Sequence, residues 1–485
     1  MQRKFRHAKI VATIGPASST EERLDALLDA GADLFRLNFS HGTRDEKREL
    51  IARIRALSRR RQRAVAILGD LQGPKIRVGT LDRGMLKLIA GEQVWITTEN
   101  LVGKDHLIPT GYAGLPNDVR PCDRILLDDG LLELEVAEVD PPRVRCRVIV
   151  GGILKDRKGI NLPGVAVSAP AMTEKDWADL DFCMEQQVDY VALSFVRSPD
   201  EVEGLKKHLL DRESPIQVIA KIEKPEAVEV FDAILEVSDG IMVARGDLGV
   251  EIHPEKVPLI QKRIIRKCNH AGKPVITATQ MLKSMVSNPR PTRAETSDVA
   301  NAILDGSDAV MLSAETASGR YPVEAVQLME RVALDVESDP ALREQVFSPL
   351  AEVDGWRSLP EAISQAACRV AENLGAAAIL AFTQTGKTAA LVAKYRPRVP
   401  IYAVTPSETV RRQLALYHGV RSLRVKIEGN TEAQIETVAK TVLEAGILQR
   451  GEVVVITMGS PVSAPGTTNL LKVHRLGTGD YYEVH

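Results

Sequence analysis

The sequence predicts an α/β protein: a (β/α)8 TIM barrel with an inserted all-β lid domain and a C-terminal open α/β domain. Three observations carry this expectation. Eight apolar runs, three before residue 73 and five after residue 164, are separated by helix-compatible segments, and eight parallel βα units close as a barrel. Between Gly73 and Gly164 the alternation stops, and short β-like stretches alternate with turn residues without a helical period. Beyond residues 340–360, which carry Pro340, Pro349, Gly355 and Pro360, strand and helix signals alternate again. The expected domains are 1–72 and 165–345 for the barrel, 73–164 for the lid and 346–485 for the C-terminal domain.

Taken in order, residues 9–15 are β-rich and stop at Gly15-Pro16. Ser19 or Thr20 then offers an N-cap, with Glu21 and Glu22 in the first turn. Leu34 to Ser40 alternates apolar and polar, a charged helix covers about 44–61, and Ala64 to Leu68 ends in Gly69-Asp70. In the insert, Val94–Thr98, Arg124–Leu127, Leu132–Val136 and Val144–Val150 read as strands. Thr173 can cap the next helix. Tyr190–Phe195, Val218–Glu223, Ile241–Gly246, Val275–Gln280 and Val310–Glu315 then complete the eight. The last domain offers strands at Ala377–Phe382, Ile401–Val404, Leu423–Ile427 and Val453–Thr457.

The bulk numbers exclude several classes. A chain of 485 residues is too long for one core. Apolar content of 44% and charged content of 26% are ordinary for a globular protein, and a formal charge of −2 points to no nucleic acid or membrane partner. No signal-peptide core and no apolar run long enough for a membrane span appears, so a cytoplasmic protein is expected. The five cysteines are scattered without a CxxC spacing, which argues against a disulfide framework and a zinc site.

The chemistry concentrates where strands end. Ile241–Ala244 breaks into Arg245-Gly246-Asp247, and Val218–Ala220 leads into Lys221-Ile222-Glu223. Alternation puts Lys221 and Glu223 on one face. Glu223 and Asp247 are hard oxygen ligands suited to Mg2+ (or Mn2+), which takes substrate oxygens and water as its remaining ligands. With Lys221 beside them, the group suits a phosphate or an enolate. Asn38, Ser40, Asp70, Ser194, Thr279, Ser313 and Glu315 fall at other strand ends, the catalytic rim of such barrels. In the last domain, Thr383-Gln-Thr-Gly-Lys-Thr388 follows a strand, and its hydroxyls, glycine and lysine make a phosphate nest. It lacks the leading glycine of a P-loop. The run Arg59-Arg60-Arg61 reads as a solvated helix end.

Seven motifs in order resemble the pyruvate kinase family: Arg36 to His41, Gly69 to Arg77, Lys158 to Gly164, Lys221 to Glu223, Ala244 to Glu251, Thr277 to Met281 and Asn288 to Glu295. The resemblance implies phosphoryl transfer from phosphoenolpyruvate to ADP, giving ATP and pyruvate. It implies that Glu223 and Asp247 hold the divalent ion, Lys221 stabilises the phosphoryl group and the enolate, and Arg36 binds the phosphate. Arg77 and Lys158 would bind the nucleotide, Gly246 the substrate carboxylate, and Thr279 would serve enolate protonation through a relayed water. Thr383, Thr385, Gly386, Lys387 and Thr388 would bind an allosteric sugar phosphate or nucleotide, and the assembly would be a homotetramer. Many members hold K+ near residues matching Asn38, Ser40 and Asp70. Here Lys75 stands where they carry glutamate, so its ammonium is expected near Asp70 in place of the ion, and K+ is not required. Two rivals remain from the residues: another Mg2+-dependent barrel enzyme acting on an enolate, and a non-catalytic metabolite sensor.

Overall fold

The computed structural model describes residues 4–339, 341–342, 358–426, 430–459 and 467–477. Eight parallel strands close into a barrel: Lys9–Ile14, Leu34–Asn38, Ala66–Asp70, Tyr190–Leu193, Gln217–Ile222, Gly240–Ala244, Val275–Ala278 and Ala309–Leu312. Closure comes from the first strand pairing with the last, Ile10 opposite Val310. The two faces of these strands do different jobs. Ile10, Phe35, Ile67, Val191, Val218 and Val310 face outward into the layer of helices. Their neighbours Val11, Leu34, Leu68, Tyr190, Ile219 and Met242 fill the interior. Buried on both faces, the strands are near-continuous apolar runs, so their periodicity carries little information.

Helix starts follow the cap chemistry. Thr20 accepts from the Arg23 amide at the head of Glu21–Ala30, which decides between the two candidate caps. Thr43 with Glu46, Thr173 with Asp176 and Thr292 with Glu295 form reciprocal capping boxes.

The insert is a six-stranded sheet of Gln93–Thr97, Leu107–Pro109, Arg124–Leu127, Leu132–Asp140, Arg143–Val150 and Ile160–Asn161. A separate two-stranded ribbon pairs Met85–Leu88 with Gly152–Lys155. Both ribbon strands were missed from sequence. Exposed Met85, Ile153 and Lys87 hide the alternation in segments this short.

The C-terminal sheet has five strands: Val420–Arg424, Ile401–Thr405, Ala378–Phe382, Val453–Met458 and the antiparallel edge Leu470–Arg475. The edge strand had not been expected, and Val420–Arg424 lies three residues earlier than the predicted Leu423–Ile427, whose last residue is outside the described residues. Most of the expected 340–360 linker is outside them too. This domain plugs the N-terminal end of the barrel. Ala415 and Leu416 complete the interior core, and the Tyr190 hydroxyl donates to the Gln413 carbonyl at 2.6 Å. Arg412 pairs with buried Asp189 at 2.7 Å, and Arg396 with Asp308 at 3.1 Å. With the bottom sealed, the rim at the strand C-termini is the open end. Among the described residues, no helix is long and apolar enough to cross a membrane.

Candidate active site

The strand Gln217–Ile222 ends just before Glu223, and Gly240–Ala244 ends just before Arg245. Arg245-Gly246-Asp247, read from sequence as a loop, is the first turn of a short helix, Arg245–Glu251. The backbone turns into a helix as soon as it leaves the barrel, which sets Asp247 facing the rim.

Lys221 is the centre of the cluster. Its Nζ lies 2.7 Å from Ser194 Oγ, 3.1 Å from Glu223 Oε1 and 3.3 Å from Asp70 Oδ1. Burial favours the neutral amine, but Asp70 and Glu223 outweigh it and keep Lys221 an ammonium with a raised pKa. Asp70 is itself buried. Burial works against its charge, yet Arg36 and Lys221 hold its carboxyl below the ordinary value. Arg36 Nε donates to Asp70 Oδ2 at 2.6 Å and its Nη1 to Thr13 Oγ1 at 3.1 Å, fixing the guanidinium plane.

Glu223 behaves differently. Burial pushes its carboxyl up, Lys221 pulls it down and the nearby charge of Asp247 raises it again, for a net upward shift. Its Oε2 accepts from the Phe195 amide at 2.7 Å. Two carboxylates crowded at one rim are a place that favours a cation, and two ammonium groups approach them: Lys221 at Glu223, and Lys75 at 3.1 Å from Asp247 Oδ1. Among the described residues no cluster of three or more metal-ligating side chains exists. Two carboxylates fit a Mg2+-like ion that draws its other ligands from substrate and water, and Glu223 and Asp247 are the residues that would hold it.

Here the structure corrects one expectation. Lys75 does not lie at Asp70; its ammonium pairs with Asp247. Both Asp70 oxygens already face Arg36 and Lys221, whereas Asp247 has no other ion-pair partner among the described residues. At the rest of the anticipated monovalent-cation locus, Asn38 Oδ1 accepts from the Ser40 amide at 3.0 Å.

Thr279 leaves the extended backbone of its strand. It stands just past Val275–Ala278 at φ +68°, with Gln280 following at φ +58°. A β-branched residue there is strained by roughly 1–3 kcal/mol and needs support. Arg245 provides it, donating to the Ala278 carbonyl at 3.2 Å and the Thr279 carbonyl at 2.7 Å while bound to Asp298 at 2.7 Å. Thr279 Oγ1 donates to the Ala278 carbonyl and accepts from the Gly246 amide at 2.8 Å. The Gly246 amide anticipated for a substrate carboxylate is therefore paired with Thr279. Glu315 accepts from the Leu282 and Ser313 amides, so it ties down the segment after Thr279.

Arg77 and Lys158 come together in the insert. Arg77 bridges to Gly159, its Nη1 donates to the Arg157 carbonyl at 3.2 Å, and Lys158 pairs with Asp128 at 2.8 Å. In the C-terminal domain, Gly386 at φ +89° caps the helix Lys387–Lys394. Its amide donates to Thr383 Oγ1 at 2.8 Å, and Thr388 Oγ1 meets Thr468 Oγ1 at 2.9 Å. Thr385 and Lys387 are exposed. The roles of Arg245 and Ser194 in this site were not read from sequence. Arg245 sits in a motif already read for its aspartate, and the contact of Ser194 is made across strands.

A lysine, two carboxylates and a strained threonine at the mouth of a TIM barrel define a metal-assisted enzyme of phosphoryl or enolate chemistry. Comparison with known proteins narrows the class. The family model "Pyruvate kinase, barrel domain" matches residues 5–326, and "Pyruvate kinase, alpha/beta domain" matches residues 361–474. Curated pyruvate kinases of Staphylococcus aureus strains MRSA252 and USA300 are each 46% identical over 475 residues, covering 98% of this chain and 81% of the relative. A crystal structure of a pyruvate kinase from Cryptosporidium parvum superposes with a TM-score of 0.90 at 39% identity, covering 97% of this chain and 96% of that one. The chain belongs to the pyruvate kinase family, phosphotransferases that pass the phosphoryl group of phosphoenolpyruvate to ADP.

Proposed function

We propose that this chain carries out that transfer with Lys221, Arg36 and Thr279 as its working groups. The observation that carries the reading is the Lys221 ammonium held between Asp70, Ser194 and Glu223 at the barrel mouth. Phosphoryl transfer asks the protein for position and charge rather than covalent chemistry. Arg36, fixed by Asp70 and Thr13, keeps Nη2 for a phosphate oxygen. Lys221 supplies positive charge where it develops, first on the phosphoryl group in flight and then on the enolate oxygen. Glu223 and Asp247 would hold a divalent ion, which would supply Lewis-acid charge to substrate oxygens. Thr279 gives its hydroxyl bond to the Gly246 amide up when a substrate carboxylate takes that amide. The freed hydroxyl then orders the water that protonates the enolate, since a hydroxyl alone is too weak an acid. Arg77 and Lys158 bring the insert's positive charge to the nucleotide phosphates, and closure of the insert keeps water from accepting the phosphoryl group.

The same reading makes the Thr383–Thr388 loop an effector site for a phosphorylated metabolite and the molecule a cytoplasmic homotetramer. It also makes Lys75 the tethered cation that dispenses with K+.

The test of the site is Lys221→Met. Pyruvate formation should fall about 10²–10³-fold, while Mn2+ binding followed by electron paramagnetic resonance persists and is lost in Asp247→Asn. Near-normal turnover in Lys221→Met would remove Lys221 from the mechanism.

A further inference from the structure

The seven-residue helix Arg245–Glu251 makes different contacts at its two ends. Its first turn carries Gly246 and Asp247 at the catalytic rim, and its last residues, Val250 and Glu251, meet the insert. The turn Asp128–Gly130 approaches Val250: a Cβ built on Gly130 would lie 3.6 Å from Val250 Cγ1. Glu251 Oε1 accepts from Asn161 Nδ2 of the insert at 2.8 Å. The same oxygen accepts from Lys224 Nζ at 2.6 Å, and Lys224 directly follows Glu223. Asp247 and Glu251 stand four residues apart, on one face of the helix. One carboxylate thus connects the insert to the chain at both candidate metal ligands.

The insert side of this contact belongs to the region proposed for the nucleotide. Asp128, Asp129 and Gly130 run at φ +51°, +55° and +84°, a left-handed run that aspartate and glycine adopt more readily than most residues. The Asp128 amide donates to the Gly159 carbonyl at 3.1 Å, its carboxylate pairs with Lys158 at 2.8 Å, and Gly159 bridges to Arg77. Glu251 itself is costly. It is 7% exposed, and its Oε2 has no hydrogen-bond partner among the described residues. A buried carboxylate oxygen left unpaired lowers stability. Beside it runs a cavity of about 40 Å3, lined by Pro74 and Lys75 from one connection of the insert and by Asn161 from the other. Polar bonds rather than close packing therefore hold the insert at this edge.

We propose that Glu251 is a positioning residue that ties the placement of the insert to the divalent-ion site, an inference that rests on Glu223 and Asp247 holding that ion. Glu251 touches neither substrate nor ion. Asn161 and the Asp128–Gly130 turn fix the far end of the helix, and so fix Asp247 one turn earlier. Lys224, held by the same oxygen, fixes Glu223. The link is reciprocal: an insert docked on Glu251 favours the ion, and the ion favours the docked insert by the same free energy.

The test is hydrogen–deuterium exchange of the full-length protein with and without Mn2+, with Mn2+ binding read separately by electron paramagnetic resonance. In the wild type Mn2+ should slow exchange at residues 128–131 and 159–161. Asn161→Ala and Glu251→Ala should bind Mn2+ at least about fivefold more weakly. At saturating Mn2+ both should have lost the slowing in the insert. A bond that only stabilised the insert would raise exchange equally with and without Mn2+ and leave the Mn2+ Kd unchanged, and that result overturns the proposal. So does Mn2+-dependent slowing that survives in both variants, or wild-type Mn2+ binding with no slowing at all. A wild type that binds no Mn2+ would overturn the assignment of Glu223 and Asp247, and this proposal with it.

Discussion

Thr279 shows how much of this site is held in place by groups that never touch substrate. Its left-handed backbone is maintained by Arg245, and Arg245 by Asp298. Thr279→Ala should lower pyruvate formation about 10²-fold, the size of a lost acid-base contribution. It should still transfer the phosphoryl group, leaving enolate for solvent to protonate. Arg245→Met should act through Thr279, lowering kcat with little change in the Kd for Mn2+. A drop in Mn2+ binding instead would mean that Arg245 serves Asp247. Asp33 makes a different kind of prediction. Burial raises its carboxyl, but Arg6, Lys9 and Arg63 outweigh that and hold it well below the usual carboxylate range. Because the folded value lies under the unfolded one of about 3.9, its stabilisation is complete above that pH and lost as the pH falls through the folded value. Asp33→Asn should cost about 3 kcal/mol at neutral pH, since it strips a charge from two buried cations, Arg6 and Lys9, and from half-buried Arg63. Its urea stability should also fall less between pH ~5 and pH ~3 than that of the wild type; an unchanged acid limb would contradict this account of Asp33.

Between barrel and insert, one element contact stands out. Glu251, at the end of the helix that begins with Arg245, accepts from Asn161 of the insert at 2.8 Å and from Lys224 of the barrel at 2.6 Å. Asn161→Ala should loosen the insert by about 1.5–3 kcal/mol, the worth of a hydrogen bond to a charged group. Amide exchange should then rise across residues 73–164 while the barrel strands stay protected. Equal acceleration in both would show that the insert does not open separately. The same elements show what sequence can carry. The barrel strands were legible because long apolar runs ending in polar residues repeat eight times. The Gly152–Lys155 ribbon was not, since a four-residue strand with Ile153 exposed has no readable period. Arg245-Gly246-Asp247 looked like a loop because three residues cannot show a helical repeat. The carboxylates Glu223 and Asp247 could be named from strand ends, but the pairing of Lys75 with Asp247 depends on which carboxylates are already neutralised. That balance is a property of the folded site.

At the scale of the molecule, the catalytic mouth and the sealed bottom of the barrel are joined by the same strands. The strand that begins at Tyr190, against Gln413 of the C-terminal domain, leads at its other end to Ser194 and Lys221. The central claim is that this protein supplies its own cations at the mouth, through Lys221 and Lys75. Its most direct test is the rate of pyruvate formation from phosphoenolpyruvate, ADP and Mg2+ in tetramethylammonium buffer, with and without added K+, for the wild type and Lys75→Glu. The account predicts wild-type rates within about twofold of each other and a K+ stimulation of at least about tenfold in Lys75→Glu. A wild type that turns over only when K+ is present would contradict it.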